Sequence, residues 1–305
     1  MQTIIRTFIL LLGPFLFLGI INRVKAIWAG RKGSPILQPL FDFMKLLRKG
    51  EVLSKTVSFI FKLAPSVNIA AVVFAFFLLP VISAGNAFSF RGDFILFAYV
   101  LGLAKFLSII AALDTGSSFE GMGASREITF SSIVEPAFFI FIGTVALLTG
   151  RTSFALVFSM LNASAAYTVL IKILFTVSLY LMILTEGSRV PVDDPNTHLE
   201  LTMIHEVMIL DYSGPDLGYI LYTAGMKMIL YSLLIADLLI PSGLNPLFAV
   251  PALLGILIII PVSIGLIESF VARARMSRLP QFIFLMTAFL LIAFAVVLTV
   301  LRGGM

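Results

Sequence analysis

The sequence predicts an all-α polytopic membrane protein: about eight transmembrane helices, an amphipathic interfacial helix after the first span, and a long acidic cytoplasmic loop between spans five and six. Three observations predict it. Of 305 residues, 60% are hydrophobic and 12% charged, whereas about a quarter of a soluble domain is charged. Eight apolar segments approach the roughly 20 residues a helix needs to cross about 30 Å of hydrocarbon. The basic residues crowd into alternate connections between those segments.

Taken in order, the predicted spans are Thr3–Val24, Ala64–Ser83, Asp93–Leu113, Ile128–Thr149, Thr168–Thr185, Leu217–Ile240, Ala249–Phe270 and Pro280–Leu301. Arg6 interrupts the first apolar run and no small-residue cleavage pattern follows, so that run reads as a retained span and not a removable signal. Phe154–Ala166 is apolar but too short to cross, and reads as a surface or re-entrant segment. Pro65, Pro136 and Pro251 read as helix-start residues, and Pro261 as a kink inside the seventh span. A repeat, a low-complexity tail and an interdomain linker are all missing from the sequence, so residues 1–305 read as one integral membrane domain.

Connections after odd-numbered spans hold Arg23, Lys25, Arg31, Lys32, Lys45, Arg48, Lys49, Lys55, Lys62, Arg126, Arg189, Arg273, Arg275 and Arg278; the other side holds Arg91, Arg151 and Arg302. The positive-inside rule then places the chain in the cytoplasmic membrane with both termini outside. In the first cytoplasmic connection, Gln38, Asp42, Lys45 and Lys49 recur at steps of four, three and four, and Ile36, Leu40, Phe43, Leu46 and their neighbours fill the remainder. That is a helix lying at the interface. It either rests on lipid or docks a partner through Arg31, Gln38, Asp42 and Lys45.

Charges inside the spans are costly and mark functional interiors. Lys105, Glu135, Lys172 and Lys227 fall there, and Asp237 and Glu268 near span ends. Lys105 and Lys227 are the deepest, and Glu135 lies about two turns inside its helix. For Lys172, Asp237 and Glu268, snorkelling or surface exposure is the competing expectation.

The stretch "EGSRVPVDDPNTHLELTMIHEVMILDYSGPD" gathers Glu186, Asp193, Asp194, Glu200, Glu206, Asp211 and Asp216 with Arg189 and both histidines of the chain, His198 and His205. Thr197 and Glu200 form a capping-box pattern that predicts a short helix over roughly 198–210. Two turns separate the histidines, about 10 Å along a helix, so the pair alone cannot converge on one zinc ion. "HEVMI" also lacks the second histidine of a zinc-hydrolase motif. Crowded carboxylates in a partly dry setting do suit proton exchange, and histidine adds a group titrating near pH 6.5. The run "GMGASRE" lacks a third glycine and a preceding strand, which argues against a nucleotide loop. It reads as a tight loop ending in Arg126 and Glu127, part of a junction with Asp114 and Glu120. Without cysteine, the chain holds no thiolate-bound iron–sulfur cluster.

At these residues the sequence resembles the membrane anchor subunit shared by respiratory complex I (subunit-1 type) and the energy-converting nickel-iron hydrogenases, including formate hydrogenlyase (subunit-4 type). The pattern E-x-x-R-x-P-x-D-x-P is met by Glu186, Arg189, Pro191, Asp193 and Pro195; "GRKGSPILQPLFDFMKLLRKGE", "GASRE" and "SSIVEPAF" extend it. The continuation carrying the histidine pair resembles the hydrogenase branch. The resemblance implies a tilted eight-span bundle without a catalytic centre or cofactor of its own. It sits beneath hydrogenase large and small subunits that carry nickel-iron and iron–sulfur centres, beside antiporter-like membrane subunits. It also implies that Glu186, Arg189, Asp193, Glu200, Glu206, Asp211 and Asp216 face the junction, with Arg126, Glu127 and Glu135 beside them. Proton or sodium coupling is then expected along the acidic loop, Glu135, Lys105 and Lys227. A quinone-binding complex I subunit and, from another class, a free-standing transporter are the alternatives; nucleic acid is not an expected partner.

Overall fold

A computed structural model of the chain describes residues 2–81, 88–160, 166–193, 203–241 and 243–303. Its helices are α1 (Gln2–Trp28), α2 (Gln38–Leu47), α3 (Phe59–Leu78), α4 (Asp93–Asp114), α5 (Ser118–Thr149), α6 (Phe154–Met160), α7 (Ala166–Glu186), α8 (Gly214–Leu239), α9 (Pro246–Phe270) and α10 (Leu279–Gly303). Eight of them are long and apolar enough to span a membrane. Only helices satisfy their own backbone polar groups in lipid, which is why apolar runs of this length take that form. The outward faces of α1, α4 and α9 carry Phe8, Leu103, Ile258 and Ile259, all exposed, as a lipid boundary requires.

α8 is the axis of the bundle. Along it Met226, Met228, Leu230, Leu234 and Ala236 have no exposed surface, and α1, α2, α3, α7 and α9 surround it. Small residues permit this crowding: a Cβ on Gly225 would stand 3.0 Å from Pro14 of α1. Capping fixes the ends. Ser58 Oγ accepts the Ile60 amide at 3.2 Å, the Ser58 amide donates to Asp114 at 2.6 Å, and Asn245 accepts the Leu247 amide at 3.1 Å. Gly214, at φ +55°, starts α8 where its Cα lies against the Gly50 carbonyl, a place with room for no Cβ.

α2 lies along the bundle as a short amphipathic helix, as its sequence pattern predicts, without a fully buried residue. Phe43 anchors it, 5.1 Å from the Phe15 ring and against Gly218 of α8. Arg31, Asp42 and Lys45 are exposed, and Gln38 donates to Asp42 at 2.9 Å.

Several local expectations need correction. "GMGASRE" is no loop: Asp114 is the last residue of α4, and Glu120, Arg126 and Glu127 belong to α5, which starts at Ser118. With 32 residues, α5 is about 48 Å long and overshoots the hydrocarbon. Of the two glycines that suggest a turn, Gly123 serves packing instead, because a Cβ there would meet Val207 at 2.8 Å and the Ile204 carbonyl at 2.9 Å. Glu135 is accordingly far from the start of its helix. Pro65, Pro136 and Pro251 lie inside α3, α5 and α9. Of the helix expected over 198–210, the described part is a 3-10 turn at Glu206–Ile209. Residues 203–205 are not helical, since the Ile204 and His205 amides donate to Asp193. Asp194, His198 and Glu200 lie outside the described residues.

Candidate ion-coupling site

α4, α5 and α7 bring three charges to one point inside the bundle. Lys105 sits about 18 Å from the Asp93 end of α4, and its side chain is 9% exposed. Its ammonium group pairs with Glu186, the last residue of α7, and lies 3.6 Å from Glu127 of α5. Lys227 of the central helix is buried within electrostatic reach of Glu186, Glu127 and Lys105. His205 Nδ1 stands 4.0 Å from the other Glu127 oxygen. Buried charges persist only when paired, and pairing at low dielectric couples them tightly. A proton or charge arriving at any one member is felt by the others.

The order along this line differs from the sequence expectation, which puts Glu135 between the acidic loop and the lysines. Lys105 touches Glu186 directly, and Glu135 lies beyond it, close enough to contribute to the field at Lys105. A cavity of about 20 Å³ adjoins Lys105, Glu127, Glu186 and Asp193. It has room for a single water, the least that could link the cluster to the loop. On the far side, Lys105, Glu135 and Glu186 line the floor of a groove of about 750 Å³ between α4 and α5.

Asp193 organises the loop that leads to this cluster. One carboxylate oxygen accepts the amides of Ile204 (3.0 Å) and His205 (3.1 Å), and the other pairs with Arg273 at 2.9 Å. Arg126 secures the same stretch by donating to the Met203 carbonyl at 2.7 Å. Arg189 turns the opposite way. It lies 3.5 Å from Glu268, whose second oxygen holds Lys25 at 2.7 Å. The Glu268 side chain is fully buried, which overturns the expectation of exposure there, and the Asp237 Oδ2 atom is likewise shielded. The sequence signals for this lock are weak: Lys25, Arg189 and Glu268 are far apart in the chain and join only because α1 packs on α9.

A second acidic group forms where α4, α5 and α8 begin or end. Glu120, fully buried, accepts the Asp211 amide at 2.9 Å, and Asp216 interacts directly with Glu51. Tyr212 stacks on Phe61 at 3.9 Å and donates to its carbonyl at 3.0 Å. Burial pushes the Tyr212 hydroxyl well above its ordinary pKa, and Asp216, Glu120 and Asp114 push in the same direction. Glu206 is half-buried at the start of the 3-10 turn. Glu51 is a partner that sequence reasoning missed.

Over residues 1–301 the chain matches the family model described as NADH dehydrogenase. The chain belongs to that family. Hydrogenase-4 component C of Escherichia coli (strain K12) is 30% identical to it over 274 residues, 88% of this chain and 85% of that one. Formate hydrogenlyase subunit 4 of the same organism is 26% identical over 283 residues, 90% of this chain and 91% of that one. These relatives place the chain on the hydrogenase branch as a complex I-like membrane subunit. The fold is also that of a chain in the archaeal membrane-bound sulfane sulfur reductase: TM-score 0.78, 18% identity, covering 97% of this chain and 100% of that one.

Proposed function

We propose that this chain is the membrane anchor and ion-coupling subunit of a formate hydrogenlyase-like, energy-converting hydrogenase. It docks hydrogenase large and small subunits at the acidic-loop face and antiporter-like subunits in the membrane. Nickel-iron and iron–sulfur centres belong to the docked subunits, in keeping with a chain that has no cysteine. The acidic loop faces the cytoplasm and both termini face outward. One observation carries the reading: the Lys105 ammonium, deep in a span, is held between Glu186 at the head of the acidic loop and Glu127.

In this reading a redox event beneath the peripheral arm changes the charge near His205. Glu127 and Lys105 respond because they face it at low dielectric, and Glu186, Lys227 and Glu135 follow. The chain's residues hold and move protons; they make and break no substrate bonds. Pulling a tagged chain from membranes tests the anchor role, with co-purifying subunits, nickel and iron as the expected result. Recovery alone and free of metal would refute it. Vesicle acidification driven by the complex tests the coupling, with Glu186→Gln expected to abolish pumping while hydrogenase activity with a soluble acceptor persists.

A quinone-binding subunit is the second reading, favoured by the mostly apolar groove between α4 and α5, whose volume suits a small-molecule site. Inhibition of the purified complex by quinone analogues would turn the choice.

A further inference from the structure

Every fourth residue of α7 from Thr168 to Tyr180 is polar: Thr168, Lys172, Thr176 and Tyr180. Residues four apart share one ridge of a helix, with about 6 Å between successive members. Thr168 is buried, and the other three are half-buried between Ile171 and Phe175, which have no exposed surface, and Ile173 and Val177, which face lipid. At the end of the row Tyr180 crosses to α9, its hydroxyl 2.8 Å from Ser263 Oγ. Ser263 donates to the Ile260 carbonyl at 2.7 Å, so Tyr180 is the donor of the pair. Turning both hydroxyls reverses that direction, since each can donate or accept.

Two observations mark the row as incomplete. Thr144, Ser178, Thr223 and Ser232 satisfy their hydroxyls on the carbonyl one turn back, whereas Thr176 Oγ1 is shielded and has no hydrogen bond among the described residues. Pro261, inside α9, brings no N–H to the Leu257 carbonyl, which leaves a spare acceptor on the same helix as Ser263. Buried groups of this kind are completed by water, and an interval of about 6 Å is what one water spans with two hydrogen bonds. Beyond Ser263, about 7.5 Å along α9, Glu268 acts electrostatically on Tyr180 and is held from two sides by Lys25 and Arg189. From Glu268 to Lys172 these groups cover about 20 Å of a hydrocarbon about 30 Å thick. Lys172, about 9 Å from the Ala166 end of α7, reaches the far interface by its own length.

We infer that α7 and α9 carry a proton route of their own, separate from the Lys105 cluster, which enters at Glu268, runs through Tyr180, Ser263 and Thr176, leaves at Lys172 and is gated by Arg189. It rests on the proposal that the chain couples ions, and it names a second path for them. Arg189 stands three residues after Glu186, its amide bonded to Leu184 and its carbonyl to Asp193, so a shift of the acidic loop carries it. When Arg189 leaves Glu268, a proton replaces the lost positive charge on that carboxylate. When it returns, the proton is displaced to the Tyr180–Ser263 pair and onward through water, and Lys172 releases one to the far side. One proton enters and one leaves, and only O–H and N–H bonds change. The cargo is a proton and not a metal cation, because single hydroxyls a turn apart do not supply the six or so oxygens that hard cations take together.

The test is proton movement per hydrogen formed by the intact complex in vesicles. Tyr180→Phe and Thr176→Val should each lose part of it, and Thr176→Ser should retain it. The double variant Tyr180→Phe, Thr176→Val should lose no more than either single one, because both interrupt one line. Ser178→Ala, on the same helix but turned to the Met286 carbonyl of α10, should leave the ratio unchanged. The chain has no cysteine, so Thr176→Cys and Val177→Cys can be compared with a methanethiosulfonate reagent read on this subunit alone. The reagent needs a thiolate, which forms in water and not in lipid; position 176 should react and position 177 should not. Should Thr176→Val fail to assemble, this cysteine pair decides. Full proton movement in Tyr180→Phe and Thr176→Val, or equal reactivity at 176 and 177, would overturn the route. If Glu186→Gln still abolishes pumping in that case, the coupling role stands without it; if no variant affects pumping, both fall.

Discussion

The Asp193 carboxylate accepts the backbone N–H of His205 at 3.1 Å, so the acidic loop is tied at its base by a residue twelve positions earlier. The same oxygen holds Ile204 and the opposite one holds Arg273, leaving Asp193, 1% exposed, among the most constrained acids of the chain. Asp193→Ala strands two amides, each worth about 1–3 kcal/mol, and removes the ion pair to the partly exposed Arg273. The loop should become cleavable by trypsin at Arg189 in membranes while the spans remain inserted. Asp193→Asn, which keeps one acceptor, should show a smaller effect, and equal resistance of wild type and Asp193→Ala would contradict the clamp.

Lys105→Met removes the cation between Glu186 and Glu127. Breaking a buried pair costs about 3–5 kcal/mol, largely because the remaining charge is left without a partner. The single variant should lower the melting temperature of the purified complex, and the double variant Lys105→Met, Glu186→Gln should recover much of that loss. Neither should restore ion pumping in vesicles. A double variant no more stable than the single one would remove the direct coupling of these two residues.

Gly121 and Gly123 separate helix propensity from packing. A Cβ at Gly121 meets nothing within 4 Å, so Gly121→Ala should be neutral or stabilising by up to about 1 kcal/mol. Gly123→Ala drives a methyl into Val207 and the Ile204 carbonyl and should destabilise the complex and loosen the loop. Thermal unfolding of the two variants side by side reads the difference; the reverse ranking would show that α5 and the loop are not in contact.

Tyr212 gives a pH dependence with a definite sign. Its folded pKa is raised by burial and by the acids around it. The stability it contributes is therefore full below the unfolded value near 10 and falls as pH rises through the folded value. Melting temperatures should drop above about pH 10 more steeply for wild type than for Tyr212→Phe. At neutral pH the Phe variant should be less stable by about 1 kcal/mol, the loss of the hydrogen bond to Phe61. Parallel pH curves would contradict the assignment.

Much of the fold was legible because hydrophobic length is a local property. The eight apolar runs and the amphipathic helix at Gln38–Leu47 follow from one-dimensional patterning, and the motif from Glu186 to Pro195 carried the family. The misreadings share one cause. Gly121 and Gly123 suggest a turn, and Pro136 a helix start, only when neighbours are ignored; Val207 and Met208 pack against α5 at Gly123 and Ala124, and the helix runs unbroken from Ser118 to Thr149.

The site was legible as a set of residues but not as an arrangement. Lys105, Glu127, Glu186 and Lys227 each stand out as charges in or beside apolar sequence, and the energetic cost of burying them marks them singly. Which pairs with which depends on how α4, α5, α7 and α8 turn toward one another. Lys25, Arg189 and Glu268 illustrate the same limit, since only the packing of α1 on α9 brings them together. Sequence alone determined that this chain crosses a membrane eight times, to which family it belongs, and that it keeps charge where lipid forbids it, because those follow from composition along the chain. The tertiary structure decided the partners and the groove, because ion pairing and burial act through space between helices that the sequence does not orient.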